Sequence, residues 1–328
     1  MLPDWHQIRT VAPAQFPDLA RGVCQFQLES NPLFRAYAQM IGFSPNKRTS
    51  IADMPFLPIS FFREFLVKTG AFDPEALFES SGTTGMISSK HAVRSLAIYQ
   101  DQLLQNFERV HGRVEDWCIL ALLPSYLERG NSSLVYMVQE LIRKGGHPDS
   151  GFYLNEWEQL FLQLEKGEQT GRKTMLMGVG FALLDLTEKY QFCFQHTTVL
   201  ETGGMKGRRK EWVREEFHAH LCKHFGVEQI HSEYGMTELL SQAYSLGEGL
   251  FECPPWMRVL VREEEDPLTV RSTGRGLLNI IDLANIHSCA FLATDDVGEV
   301  YEDGRFRVLG RRDGSDLRGC SLLVATGN

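Results

Sequence analysis

The sequence has 328 residues and seven cysteines, but no two of the cysteines form a C-x-x-C pair. They lie scattered at positions 24, 118, 193, 222, 253, 289 and 320. That spacing argues against a disulfide framework or a zinc ribbon, and leads us to expect reduced thiols in a cytoplasmic protein. Most should serve as small buried hydrophobes. Long hydrophobic runs are missing too. The cleanest, Cys118–Leu123, falls far short of the about 20 residues that a membrane span needs, so no span is expected. Near the N-terminus Asp4, His6 and Arg9 interrupt the apolar residues, which is not a leader pattern. Positive charge is scarce. Lys and Arg number 33 against 42 Asp and Glu, a net charge of −9, which argues against nucleic acid or an anionic membrane surface as partner. No G-x-x-x-x-G-K-[ST] and no G-x-S-x-G occur, so neither a Walker phosphate loop nor a hydrolase elbow is expected. His231-x-Glu233 resembles half of a zinc-deaminase signature, but no P-C-x-x-C follows it.

What is present alternates. Apolar runs at Trp117–Leu123, Lys173–Met177, His196–Leu200 and Val227–His231 read as strands. Between them lie helical patterns: Ala92–His111, a helix from Asn131-Ser132-Ser133 to about Lys144, Glu156–Leu164, Phe181–Tyr190 and Glu211–His224. The result is an α/β fold with largely parallel sheet, expected over residues 1–250. The first 50 residues look helical, broken at Pro13, Pro17, Pro32 and Pro45. Past Phe251 the texture changes to short strands, including Cys289–Thr294 and Glu299–Tyr301, and a β-rich subdomain is expected over 251–310. Arg262–Asp266 (REEED) reads as a solvated turn.

In parallel sheets ligands sit beyond the carboxyl ends of the strands. Three unusual loops follow such ends: Pro124–Ser133, Glu201–Arg209 and Ser232–Glu238. A fourth, Glu79–Gly85, packs three hydroxyls and two glycines into five residues. Ser81, Gly82, Thr83, Thr84 and Gly85 make a good anion cradle, and a helix start downstream would add its positive end. By itself such a loop is equally a solvated turn. In Tyr234–Glu238, the tyrosine suits a planar base, Thr237 a phosphate or carboxylate, and Glu238 a Mg²⁺ ion; a plain strand–helix turn is the alternative. Gly203 and Gly204 let backbone approach a flat ligand, while Lys206–Lys210 equally suits a solvated helix start. Asp295, Asp296 and Arg311 combine carboxylates able to accept ribose hydroxyls with a cation; a surface salt bridge is the alternative.

Taken in order, these loops resemble those of the adenylate-forming superfamily of acyl- and aryl-CoA ligases. SSGTTG (80–85) resembles its phosphate loop, YGMTE (234–238) its Y-G-x-[ST]-E element, TDDVG (294–298) its T-G-D-x-G, and GRRD (310–313) its G-R-x-D hinge. FLPISFF (56–62), LLPSYLER (122–129), ETGGMKGRR (201–209), IDLANIHSC (281–289) and DLRGC (316–320) are similar to the acyl-protein synthetases of the LuxE type, from the bacterial luminescence fatty-acid reductase system.

The resemblance implies an N-terminal-domain-like adenylate-forming fold and a two-step reaction. A carboxylic acid, of the fatty class in LuxE proteins, becomes acyl-AMP at the expense of ATP with Mg²⁺. The acyl group then moves to Cys320, for delivery to a partner such as a reductase or transferase. Thr83, Thr84 and Gly85 are expected at the phosphates, with Ser81 and Gly82 in the same loop. Thr237 and Glu238 are expected at the α-phosphate and Mg²⁺. Gly203, Gly204, Tyr234 and Gly235 should border the nucleotide, and Asp296 and Arg311 the ribose, with Asp295 the second choice. Cys289 competes with Cys320. A carboxylate–CoA or carboxylate–amine ligase, and a nucleotide-binding scaffold without catalysis, are the alternatives. The chain departs from the superfamily in two places. Lys90 is the first lysine after the phosphate loop. The usual C-terminal lid domain, with its adenylation lysine, is expected to be missing, so 311–328 reads as a truncated hinge and tail.

Overall fold

The computed structural model describes residues 4–46, 49–80, 88–123, 131–154, 156–203 and 212–312. Helices α1 (Trp5–Arg9), α2 (Phe16–Ser30) and α3 (Pro32–Met40) come first. Pro17 and Pro32 begin helices instead of breaking them, since each sits in a first turn, where a missing N–H costs nothing. Asn31 caps α3 by accepting from Phe34 N at 3.0 Å. After them come β1 (Leu57–Pro58), α4 (Phe61–Glu64), and an antiparallel pair, β2 (Ala76–Glu79) and β3 (Lys90–Val93).

α5 (Leu96–His111) then leads into the parallel sheet. Its further members are β4 (Cys118–Leu122), α6 (Ser133–Gly145), β5 (Gly151–Phe152), α7 (Trp157–Thr170), β6 (Thr174–Gly178), α8 (Gly180–Lys189), β7 (Thr197–Thr202), α9 (Arg214–Phe225), β8 (His231–Tyr234) and β9 (Ala243–Ser245). Strand order is β5-β4-β6-β7-β8-β9, parallel from β5 to β8, with β9 antiparallel at the edge. β4 and β6 are buried along their whole length, which is why CILAL and TMLMG carry no polar alternation. Ser132 caps α6, and Gly146 ends it in the left-handed region.

The second sheet is antiparallel. It runs β10 (Leu250–Phe251), β15 (Phe306–Arg311), β14 (Phe291–Val300), β13 (Gly274–Asp282), β11 (Met257–Arg262), β12 (Val270–Arg271). β1 joins β14 in parallel over Leu57 and Pro58, a short edge position compatible with a proline. No helix among the described residues is long and apolar enough to cross a membrane.

Several expectations need correction. The helix expected at Ala92 starts at Leu96 with Ser95 as its cap, because Lys90–Val93 pairs with Ala76–Glu79. In sequence the hydroxyl-glycine segment therefore falls between two paired strands, and the next helix starts only at Leu96. The strand expected at Val227–His231 is displaced to His231–Tyr234. The helix expected to end at Leu164 continues to Thr170. Cys289–Thr294 and Glu299–Tyr301 are not separate strands, since β14 runs unbroken through Thr294–Gly298. Arg262 is not in a solvated turn. It is buried, and its guanidinium donates to Leu278 O at 3.2 Å, Asn279 Oδ1 at 2.8 Å and Thr294 O at 2.5 Å.

β14 carries a register shift between Val297 and Gly298. A Cβ on Gly298 would lie 2.5 Å from Arg307 O and 2.7 Å from a Leu278 methyl, so only glycine lets β15 pass at this spacing. Gly298→Ala should lower the unfolding free energy by about 1–3 kcal/mol, the usual range for overpacking. An unchanged midpoint in urea titration would contradict this account.

Candidate active site

One cleft opens at the carboxyl ends of β7 and β8, between the two sheets. Its walls include Glu79, Ser80 and Ser89 from the hairpin, Ser132 and Ser133 from the start of α6, Thr202 and Gly203 after β7, and 233–238 at the end of β8. The antiparallel sheet contributes Thr294, Asp295, Asp296 and Arg311. Of the residues expected at the site, Gly203, Tyr234, Gly235, Thr237, Glu238, Asp296 and Arg311 line this one cleft. Ser81, Gly82, Thr83, Thr84, Gly85, Gly204 and Cys320 lie outside the described residues, as does Lys206–Lys210.

Asp296 is a buried acid of the cleft with two side-chain partners. It is 1% exposed. Tyr234 OH donates to its Oδ2 at 2.8 Å, and Arg311 Nε donates to its Oδ1 at 2.9 Å. A buried carboxylate needs such partners, because desolvation without them is expensive. The Tyr234 ring rests on Phe251 and Phe306, with centroids 5.8 and 5.4 Å away. Asp295 faces Arg312 at 3.5 Å, so the neighbouring acids take different cations. Lys90 is half-exposed, 3.8 Å from Glu79.

Glu238 is also buried, and its loop is held by residues that the sequence did not single out. His91 Nδ1 lies 2.7 Å from Thr237 O, and its Nε2 lies 3.0 Å from Asn285 Oδ1. Asn285 Nδ2 donates to Glu238 O at 2.8 Å. Burial pushes the His91 imidazole down to about 4, so it is neutral near pH 7. Asp282 accepts from Leu240 N at 3.0 Å, Ser241 N at 2.9 Å and Ser241 Oγ at 2.7 Å. Trp256 Nε1 donates to the same hydroxyl at 2.8 Å. The backbone of 237–241 is thus fixed from β3 on one side and from the end of β13 on the other. Arg63 of α4 lines the cleft as a second guanidinium beside Arg311.

Two acids at adjacent strand ends have opposite fates. Burial raises the Glu201 carboxyl, but His218 and Arg214 at 3.7 and 3.3 Å outweigh it and hold the group below the carboxylate range. Glu233 has no such cation. Burial pushes it up to about 7, against the opposing hydrogen bond donated by the Thr202 hydroxyl and with a small further push from Glu201.

The family model described as "Acyl-protein synthetase, LuxE" matches residues 23–327. The chain belongs to the LuxE acyl-protein synthetase family. It is 25% identical to the long-chain-fatty-acid–luciferin-component ligase of Vibrio harveyi, over 94% of this chain and 86% of that protein. ATP-bound MatB from Rhodopseudomonas palustris shares the fold with a TM-score of 0.52 at 17% identity, over 74% of this chain and 49% of that one. The luciferase-like enzyme of the mealworm Zophobas morio gives 0.51 at 16% identity, over 76% and 60%. The chain thus spans about half to three fifths of these solved chains. Its α/β architecture is that of the N-terminal domain of adenylate-forming enzymes, as the LuxE resemblance implied.

The raised Glu233 carboxyl has a measurable consequence. A carboxyl raised from its unfolded value near 4.5 to about 7 contributes stability that is full below the unfolded value and lost as pH rises through about 7. Glu233→Gln is neutral throughout. Its melting temperature relative to wild type should therefore rise between pH 5 and pH 8, by the equivalent of up to roughly 3 kcal/mol at about 1.4 kcal/mol per unit. A difference that stays flat with pH would contradict the burial argument.

Proposed function

We propose that this protein activates a carboxylic acid with ATP and passes the acyl group to the thiol of Cys320. One observation carries the reading: in a LuxE-family chain, Tyr234–Glu238, Asp296 and Arg311 line a single cleft whose rim includes Ser80 and Ser89, the described ends of the hydroxyl-glycine loop. Acid and ATP are both anionic, so the work of the site is positioning and charge neutralisation.

In this reading the nucleotide occupies the half of the cleft beside Tyr234, Asp296 and Arg311. Asp296 still has lone pairs for ribose hydroxyls after accepting from Tyr234 and Arg311. The acid takes the opposite half, between Thr202, Glu233 and the α5–α6 side. Its carboxylate oxygen attacks the α-phosphorus, a P–O bond forms, and pyrophosphate leaves. The Cys320 thiolate then attacks the acyl carbonyl and releases AMP. The donor set suits Mg²⁺: Glu238 offers a carboxylate beside the hydroxyls of Thr237, Ser80 and Ser89. When bound, the ion would offset the negative charge of the phosphates. Arg63 and Arg311 add fixed positive charge to the same cleft.

The described cysteines support Cys320 as acceptor. Burial pushes the Cys289 thiol up to about 12, and its Sγ donates to Phe291 O at 3.3 Å. Burial pushes Cys24 and Cys253 up to about 12 as well. Such thiols are poor nucleophiles at neutral pH. Cys193 is exposed, but it lies against Gly226 at the end of α9 and does not line the cleft.

Cys320→Ala should retain acid-dependent pyrophosphate exchange but form no hydroxylamine-sensitive bond between acid and protein. Persisting label would move the acceptor elsewhere, and product formation that needs a soluble thiol or amine would favour the CoA- or amine-ligase alternative. Glu238→Gln should lose most Mg²⁺-dependent exchange; exchange at the wild-type rate would count against the site.

The clamp on 237–241 yields a separate expectation. Asn285→Ala removes the donor to Glu238 O and the partner of His91. The exchange kcat should fall by about 10- to 100-fold through misplacement of the loop, while KM for ATP and acid changes little. An unchanged kcat would mean that the loop holds its position without Asn285.

A further inference from the structure

The half of the cleft assigned to the acid is not a plain apolar slot. Successive residues of a strand face opposite sides. On β8, Tyr234 turns toward Asp296, and Glu233 turns the other way, toward the Thr202 hydroxyl. Glu233 lines the cleft together with Tyr99, Leu134, Met137, Thr202 and Gln242. Its side chain is among the buried polar ones, with the residue 6% exposed. One carboxylate oxygen, Oε2, accepts from Thr202. The other, Oε1, has no hydrogen-bond partner among the described residues and lies over the bare Cα of Gly235, where a Cβ would stand 2.3 Å from it. Gln242 stands in the same lining. Its amide nitrogen donates to Leu240 O at 3.0 Å, which fixes the amide's orientation, and Oε1 is buried with no donor.

An alkyl chain laid against Glu233 Oε1 would remove it from water and offer it nothing. A chain bearing a donor would complete it. Sites built around such an unfilled hydrogen bond reject analogues that lack the donor far more strongly than apolar pockets reject a missing methylene.

We propose that the acid activated here carries a hydrogen-bond donor, a hydroxyl or an ammonium group, on the part that lies against Glu233, and that Glu233 selects it. This inference rests on the acid-activating reading of the cleft and adds the substrate class. The raised Glu233 carboxyl fits either donor, because a carboxyl oxygen accepts from a hydroxyl in both protonation states and an arriving ammonium would favour the ionised form.

The test is acid-dependent pyrophosphate exchange with matched series of straight-chain acids: unsubstituted, hydroxyl-bearing and amino-bearing, at several chain lengths and substituent positions. Wild type should favour a substituted acid over its unsubstituted counterpart by about 10-fold or more in kcat/KM, and Glu233→Leu should erase or invert that ratio. Glu233→Gln distinguishes the donors. Its amide oxygen still accepts from a hydroxyl, so a preference that persists there assigns the hydroxyl, and one that disappears assigns the ammonium. If Glu233→Leu does not fold by circular dichroism, Glu233→Met takes its place in the comparison. A wild-type preference for unsubstituted acids throughout, or a preference untouched by the apolar Glu233 variant, overturns the proposal and leaves acid activation standing. Exchange with no acid at all would overturn the activation reading itself, and this inference with it.

Discussion

The Asp296 carboxylate is the point on which the two sheets agree. It belongs to β14 of the antiparallel sheet, takes a hydroxyl from Tyr234 at the end of the parallel strand β8, and takes a guanidinium from Arg311 on β15. A buried acid cannot lose either partner cheaply. That requirement sets the distance between the sheets, and so the width of the cleft they enclose. The bulge at Val297–Gly298 turns Asp296 and Arg311 into register with each other, and glycine at 298 is what lets the bulge fit. A backbone irregularity, a missing side chain and a buried ion pair thus form one device.

The second constraint is the two-residue period of β8. Because neighbours on a strand face apart, one four-residue strand serves both halves of the cleft, with Tyr234 facing the phenylalanines of the antiparallel sheet and Glu233 facing Thr202. The electrostatics divide along the same line. Glu201, one strand over, is paired with Arg214, whereas Glu233 is buried without a cation. Two acids a few residues apart in the fold are thereby tuned in opposite directions, which is a pattern more common at functional sites than in structural cores.

Much of this was legible in the sequence. Uniformly apolar runs marked β4 and β6, caps such as Ser132 and Gly146 marked α6, and glycine with hydroxyls marked the loops at the strand ends. What escaped reading has physical reasons. β8 is His-Ser-Glu-Tyr, and the more strand-like Val227 and Ile230 beside it drew the prediction upstream; the strand tip is polar because it lines a cleft. β3 was absorbed into the helix that follows, because Ala92 and Val93 extend the apolar pattern of α5 backwards. Arg262 looked solvated in a run of acids, yet it caps buried carbonyls. His91, Asp282 and Asn285 act on backbone atoms far away in the chain, and no spacing rule announces a side chain whose partner is a distant carbonyl. The order of loops identified the kind of site; the residues that hold those loops still became visible only in three dimensions.

The hairpin of β2 and β3 is closed by its own serines. Ser80 N donates to Ser89 O at 3.0 Å, and Ser89 N donates to the Ser80 hydroxyl at 2.9 Å. These two bonds close the mouth of the loop independently of its contents. The frame of the hairpin is thus set by Ser80 and Ser89 themselves, so a substitution between them would test the chemistry of that segment with the frame still closed.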